Sequence, residues 1–391
     1  MQNWNEIRES IEITGGSVMP KIMVKLAGTG SYLPGKPIPF DEIHRVLGEL
    51  PEAPVAIQNW MRGMNPVMKE MLRIKQYYFA IDPETREFTE TNVTMAVKAA
   101  KKAMDDAGFK PDDIELLLFG CASLEQMPPA STAIQEELGI SSCGEISIQS
   151  NCSSVYKSIL LAHDLISVGR YKTVMVVTSN MASSTARTEF FNQKLVKREE
   201  LMLRWFLCDG AGCMIFTRDD SEKPKGTYLE AAYIESVGCG LDPMMFNRKQ
   251  AYSMNPLEVY NKGLHHIAQR RTNMRTDDNS GESLIVNTFI QGLKRMIEQY
   301  DIDLKRITVF NINFPAEHVN QFIMEKCIDM GVSPGAFYSK LDEYGYSGSP
   351  MVLITMDKLL REEKLKENDQ ILSFVLEVSK IIQAGFLLKQ Y

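Results

Sequence analysis

Hydrophobic and polar positions change their period at one point in this chain. From Glu145 to Gln149 they alternate, as in a short strand; Ser150 and Asn151 break the pattern. From Ser153 the period is helical, with Val155, Ile159, Ala162 and Ile166 on one face. Cys152 therefore stands at a strand-to-helix turn. A thiol there meets unsatisfied N–H groups and the positive end of the helix dipole, which favour thiolate over thiol. The same N–H groups can stabilise an oxyanion formed when the sulfur attacks a thioester. The competing reading is a plain buried cysteine, since free cysteines are commonly buried.

The pattern places other elements. Lys21 to Leu33 reads as a strand running into a Gly-rich turn at Gly28-Thr29-Gly30; no phosphate-loop continuation follows, so a tight chain reversal is expected. Residues 39–75 are mixed and Met-rich, with short helices expected; methionine fits either ordinary core or a substrate tunnel wall. Thr91 to Gly108 predicts a helix, capped by Thr91 and stopped by Gly108. Asp112 to Cys121 predicts a buried strand, Ala130 to Leu138 a helix, and Lys172 to Thr178 a strand. Residues 185–206 form a charged excursion. Leu207 to Phe216 then reads as a tight glycine turn, Asp209-Gly210-Ala211-Gly212, entering a strand. After a polar linker, Arg218 to Gly226, the order repeats: strand 228–237, helix 282–300, then Asp303 to Ile312 echoing Asp112 to Gly120. Helices over 318–330 and 349–362 and strands over 370–377 and 381–389 complete the second half. Matched helix-then-strand order predicts an internal duplication of an α/β unit.

Composition narrows the function classes. The 391 residues are 44% hydrophobic and 24% charged, with net charge −7. That describes a globular protein and argues against a nucleic-acid surface or a polybasic membrane anchor. The seven cysteines include no CxxC pair, so neither a zinc site nor a disulfide framework is suggested, and Cys208 and Cys213 read as core. The first residues do not resemble a signal peptide, and no apolar run approaches the ~18 residues of a membrane span. A reducing, cytoplasmic setting is expected.

Val24 to Pro34, the Cys152 stretch, Asp209-Gly210-Ala211-Gly212 and Tyr344-Gly345 with the helix after it resemble, in that order, the ketoacyl synthase III enzymes of the thiolase superfamily. The likeness runs from about residue 21 to the C-terminus. It implies an α/β thiolase fold: two duplicated halves forming a five-layer α-β-α-β-α core. Residues 1–20 are then an N-terminal extension, 21–217 the half carrying the nucleophile, and 227–391 the second half. A homodimer is implied, or a heterodimer with a homologous synthase. The resemblance also implies that Cys152 takes an acyl group from acyl-CoA or an acyl carrier protein and passes it to an acceptor. CoA or phosphopantetheine would arrive as the thioester carrier, and no metal or redox cofactor is indicated.

This chain departs from the family where the family supports its cysteine. The ungapped position of the family's His is Ala316, with His318 two residues later; the family's Asn position is Tyr346; and its C-terminal glycine run reads Ser379-Lys380-Ile381-Ile382. In decarboxylating members that His and Asn hold the enolate, and losing one such donor typically costs about 2.7–4 kcal/mol. Acyl transfer is therefore expected to survive better than malonyl condensation. His318 either rescues the base role or is a surface residue at a helix start. Of the other histidines, His163 lies in the helix after Cys152, and His44, His265 and His266 have no motif around them. Glu125 lies in a loop that, in relatives, projects into the partner's site; it is either a base or a solvated carboxylate. Met127 and Tyr346 are placed against the substrate pocket, Tyr346 either donating a hydrogen bond or plugging the vacated space. The expected function is acyl transfer through Cys152 in fatty-acid-derived or secondary-metabolite biosynthesis. The alternatives are decarboxylating 3-oxoacyl synthesis using His318 and a catalytically degenerate subunit of a heteromeric synthase.

Overall fold

Gly28 and Gly30 lie inside a strand rather than in a turn: β1 spans Met23–Tyr32. A Cβ at either position would collide with backbone of the helix packed on it, at Ala103 and Ala107 or at Ala99 and Ala103. These glycines therefore set the approach of a helix to a sheet. The same correction holds for Asp209 to Gly212, which opens a long strand, with Gly212 making room for Leu353. The computed structural model describes residues 22–122, 127–241, 284–362 and 365–391, with 243, 245–247, 257, 261 and 268–270 between them. The expected extension over 1–20 lies outside the described residues.

After β1 come α1 (Val55–Leu72), α2 (Asn92–Ala107), β2 (Leu116–Cys121), α3 (Ala130–Leu138), β3 (Gly144–Gln149), α4 (Ser154–Ser167), β4 (Thr173–Met181) and β5 (Asp209–Asp219). The chain continues with β6 (Thr227–Ser236), α5 (Leu284–Tyr300), β7 (Ile307–Asn311), α6 (Glu317–Asp329), β8 (Phe337–Tyr338), α7 (Pro350–Glu362), β9 (Gln370–Glu377) and β10 (Ile382–Gln390). Thr91 caps α2 in a reciprocal pair with Thr94, and Gly108 ends it at φ 67°, as the pattern predicts. Residues 39–75 form short helical pieces at Phe40–Glu42 and Ile43–Leu47, as expected, and then one longer element, the 18-residue helix α1, whose Met68 and Leu72 are buried. Met68 belongs to the outer hydrophobic core, and Met61, Met64 and Met71 pack against it.

The strands run β8-β7-β9-β10-β6-β1-β5-β4-β2-β3 across the molecule. Counted outward from the middle, the order is the same in each direction. β1, β5, β4, β2, β3 correspond to β6, β10, β9, β7, β8. The two five-stranded sheets meet at one paired position, Lys25 with Tyr228. The layers explain the burial. β2 is buried at all six residues because α2 and α3 cover one face and α4 the other. Helices α4 and α7 share the core between the sheets, and α5 and α6 cover the far face. This is the five-layer α-β-α-β-α arrangement of the thiolase fold.

Candidate active site

Cys152 sits between the end of β3 and the first turn of α4, where the two halves meet. It is buried, and its Sγ lies 2.8 Å from Tyr346 Oη. Tyr346 comes from the loop between a short helix, Leu341–Tyr344, and α7. That loop is pinned to the first half. Its Tyr346 carbonyl accepts from the Cys208 N–H at 3.0 Å, and its Ser347 carbonyl accepts from Asn180 Nδ2 at 2.8 Å. Ser349 Oγ meets Thr178 Oγ1 at 2.8 Å. Gly345 must be glycine: φ is 68°, and a Cβ would press on Cys208 and Tyr77.

A carboxylate from the second half completes the surroundings. Glu377, the last residue of β9, is buried. Its Oε2 accepts from Ser153 N at 2.9 Å, Ser153 Oγ at 2.6 Å and Ser150 Oγ at 2.9 Å, while Ser379 Oγ donates to Oε1. Lys157, one turn into α4, donates to Ser150 Oγ at 2.9 Å. A backbone N–H at the start of α4 therefore serves a carboxylate and not the sulfur. Burial and the nearby Glu377 charge push the Cys152 thiol up to about 12, against smaller downward pulls from Tyr346 and from the backbone N–H of Cys152 itself. This overturns the expectation of a thiolate. The dipole argument holds only when no other anion occupies the helix end. Burial also raises Tyr346, so its hydroxyl stays protonated.

Around the sulfur is a cavity of about 20 Å³, room for about one water molecule. It is lined by Cys152, Tyr156, Asn313, Tyr346, Met351 and the Phe289, Phe314 and Phe374 rings, among others. Asn313 Oδ1 is buried without a hydrogen-bond partner, while its Nδ2 donates to Asn311 Oδ1 at 2.6 Å. Tyr156 reaches across from α4 to meet Ser373 Oγ at 2.7 Å. Where the family has a glycine run, Ile381 holds the hairpin turn at φ 57°, a strained conformation for a β-branched residue.

The structure brings Cys152 and Tyr346 together, and Tyr346 both contacts the sulfur and fills space beside it. Met127 is 90% exposed and does not line the cavity of its own chain. It stands in a surface loop beyond the end of β2. Ala316, the ungapped His position, is buried at the start of α6 and carries no polar side chain. His318 is the second residue of α6, but its side chain lies outside what is described, as does Glu125 altogether. His44 is exposed, and His163 pairs with Asp164 at 2.9 Å; His265 and His266 lie outside the described residues. Asp209 is an anchor: its carboxylate accepts from Ala80 N at 2.7 Å and Ser183 N at 2.9 Å, and burial pushes it up to about 6. The pattern reading missed Glu377, Ser150, Ser153 and Asn313. For Glu377 a signal existed, since a lone carboxylate ends the apolar run Phe374-Val375-Leu376. Among the described residues no three His, Cys, Asp or Glu side chains are grouped to hold a metal, and no helix is long and apolar enough to cross a membrane.

Comparison with known proteins agrees with this architecture. The family model for stage V sporulation protein AD matches residues 73–246, less than half of the chain. The β-ketoacyl-[acyl-carrier-protein] synthase III of Clostridium acetobutylicum is 21% identical over 366 residues, 93% of this chain and 94% of that protein. Among solved structures, AbyA1, a tetronic acid condensing enzyme, superposes with a TM-score of 0.72 at 18% identity, over 94% of this chain and 99% of that one. The 3-oxoacyl-[acyl-carrier-protein] synthase III of Aquifex aeolicus gives 0.68 at 18% identity, over 94% and 99%. An OleA variant from Xanthomonas campestris gives 0.72 at 16%, over 95% and 99%. With its repeated strand order and its cysteine at the meeting of the halves, the chain has the thiolase fold and is similar to ketoacyl synthase III.

Proposed function

We propose that the chain is an acyltransferase that loads an acyl group from acyl-CoA or an acyl carrier protein onto Cys152 and passes it to an acceptor without decarboxylation. The observation that carries this reading is the 2.8 Å contact between Cys152 Sγ and Tyr346 Oη. A protonated phenol at the nucleophile can donate a hydrogen bond to a thioester oxygen or a departing sulfur, but it is a single donor where decarboxylation calls for two. Fatty-acid-derived or secondary-metabolite biosynthesis fits this chemistry, and the acceptor is an oxygen, nitrogen or carbon nucleophile. His318 as base and Glu125 reaching a partner's site belong to the decarboxylating alternative. We place the active form as a homodimer, or a heterodimer with a homologous synthase. In support, β3 is the outer strand of its sheet, and Ile146 on it is 37% exposed.

A second reading is favoured by the stage V sporulation protein AD match and by the closed, neutral cysteine site. In it the chain serves sporulation as a thiolase-fold component with no turnover. Intact-protein mass spectrometry after incubation with a panel of acyl-CoAs and acyl carrier proteins separates the readings. A mass gain lost in Cys152→Ala supports acyl transfer, and CO₂ release from malonyl donors would move it to the decarboxylating alternative. No adduct from any donor on folded protein sinks it in favour of the second reading.

A further inference from the structure

We propose that Glu377 is a positioning residue for Cys152: by taking hydrogen-bond donors at the start of α4, it withholds the anion-stabilising end of that helix from the sulfur. The inference concerns the same cysteine but stands whether or not that cysteine carries an acyl group.

The geometry is specific. A helix start offers N–H groups with no partner inside the helix, and an anion placed there is stabilised. In α4 the Ser153 N–H is spent on Glu377 Oε2, and the Ser153 and Ser150 hydroxyls point to the same oxygen. Glu377 arrives from β9 of the other half, and Ser379 donates to its second oxygen. Four donors therefore fix one buried carboxylate against the turn that holds the nucleophile.

The groups facing Cys152 from each packed element are few among the described residues. Tyr346 faces it from the loop before α7, Tyr156 from α4 and Glu377 from β9. Burial keeps both tyrosines protonated. The ammonium of Lys157 is bonded to Ser150 Oγ, at 2.9 Å. Glu377 is thus the acidic group that opposes a second negative charge on Cys152. The sulfur rests as a neutral thiol while that carboxylate stays seated, only its small thiolate fraction reacts, and the helix end becomes available to it when the carboxylate is displaced.

The test is the pH dependence of Cys152 alkylation by iodoacetamide, read by peptide mass spectrometry on the full chain between pH 6 and 11. The shape of the curve is the readout, because altered access scales the rate equally at every pH while a removed charge moves the bend towards a plateau. Wild type is expected to rise about tenfold per pH unit with no bend across the range. Glu377→Gln keeps the shape of the side chain and removes the charge, and its curve should bend towards a plateau by pH 11, with about ten times more thiolate than wild type at pH 8. Glu377→Asp keeps the charge and should rise like wild type throughout. No bend in Glu377→Gln, or an equal bend in Glu377→Asp, overturns the proposal. Should Glu377→Gln fail to fold by circular dichroism, the wild-type curve decides: a plateau below pH 9 overturns the proposal, and its absence supports it. No acyl donor enters this assay, so its failure is distinct from failure of the acyl-transfer reading.

Discussion

Helices α4 and α7 occupy equivalent places in the two halves, side by side between the sheets, yet they are built for different work. α7 buries nine of its thirteen residues, Asp357 among them. That carboxylate accepts from Thr29 Oγ1 at 2.8 Å, Ser31 Oγ at 2.6 Å and Arg361 Nε at 2.8 Å, tying the second half's helix to the first half's β1. α4 buries seven of fourteen and keeps Lys157 at its start for the network around Glu377. Each helix thus receives or sends a carboxylate across the seam. On α7 the acid sits mid-helix and holds the halves together; at α4 it comes from the opposite half and governs the sulfur. The two halves give equivalent frames, and only one of them carries a cysteine at the start of its inner helix.

Substitutions along α7 should therefore cost stability, and those at the start of α4 should cost reactivity. The largest effect is expected for Asp357→Ala, which strands two buried hydroxyls and a guanidinium. A loss of about 3 kcal/mol in urea unfolding is expected, and a loss below about 1 kcal/mol would break the comparison. Next is Gly212→Ala, whose new methyl would press on Leu353 of α7. It should cost about 2 kcal/mol by overpacking; unchanged stability would mean that α7 can shift on β5.

The third prediction concerns pH. The Cys152 thiol is raised from its ordinary 9.0 to about 12 by folding. The unfolded chain therefore loses this proton first, so the stabilising contribution is full below pH 9 and is lost as pH rises towards 12. Wild type should lose about 1.4 kcal/mol more than Cys152→Ala between pH 8 and pH 10. Equal losses, measured by urea unfolding at each pH, would mean that the thiol is not held neutral. The smallest stability effect is expected for Tyr346→Phe, under about 1 kcal/mol because the phenol's partner is a weakly bonding thiol. Its consequence should appear instead as slower acyl loading of Cys152. A large stability loss with unaltered loading would make Tyr346 a structural plug.

Much of the fold was legible wherever one local pattern decides one element. The alternation and then the helical period around Cys152, the Thr91 cap and the apolar run of β2 all formed as read. The glycines misled because their local meaning and their tertiary meaning differ. Gly28, Gly30, Gly210 and Gly212 read as turns in isolation, whereas in the fold they let helices lie close to strands. The site was half legible. Cys152 and Tyr346 could be paired through the resemblance, but Glu377 lies more than two hundred residues from Ser153, whose N–H it accepts. Nothing near Cys152 in the chain announces that its helix start is already occupied. The thiolate expectation failed for that reason: a dipole names what a site favours, not which anion takes it.

The small cavity beside the sulfur also sets a clock. With room for about one water molecule, it admits no acyl chain until Tyr346 or the Phe289, Phe314 and Phe374 rings swing aside. Opening of such packed walls runs on the microsecond-to-millisecond scale or slower. On the acyl-transfer reading, loading of Cys152 is then paced by how often the walls part. Its rate should level off with rising donor concentration and become indifferent to how good a leaving group the thioester carries.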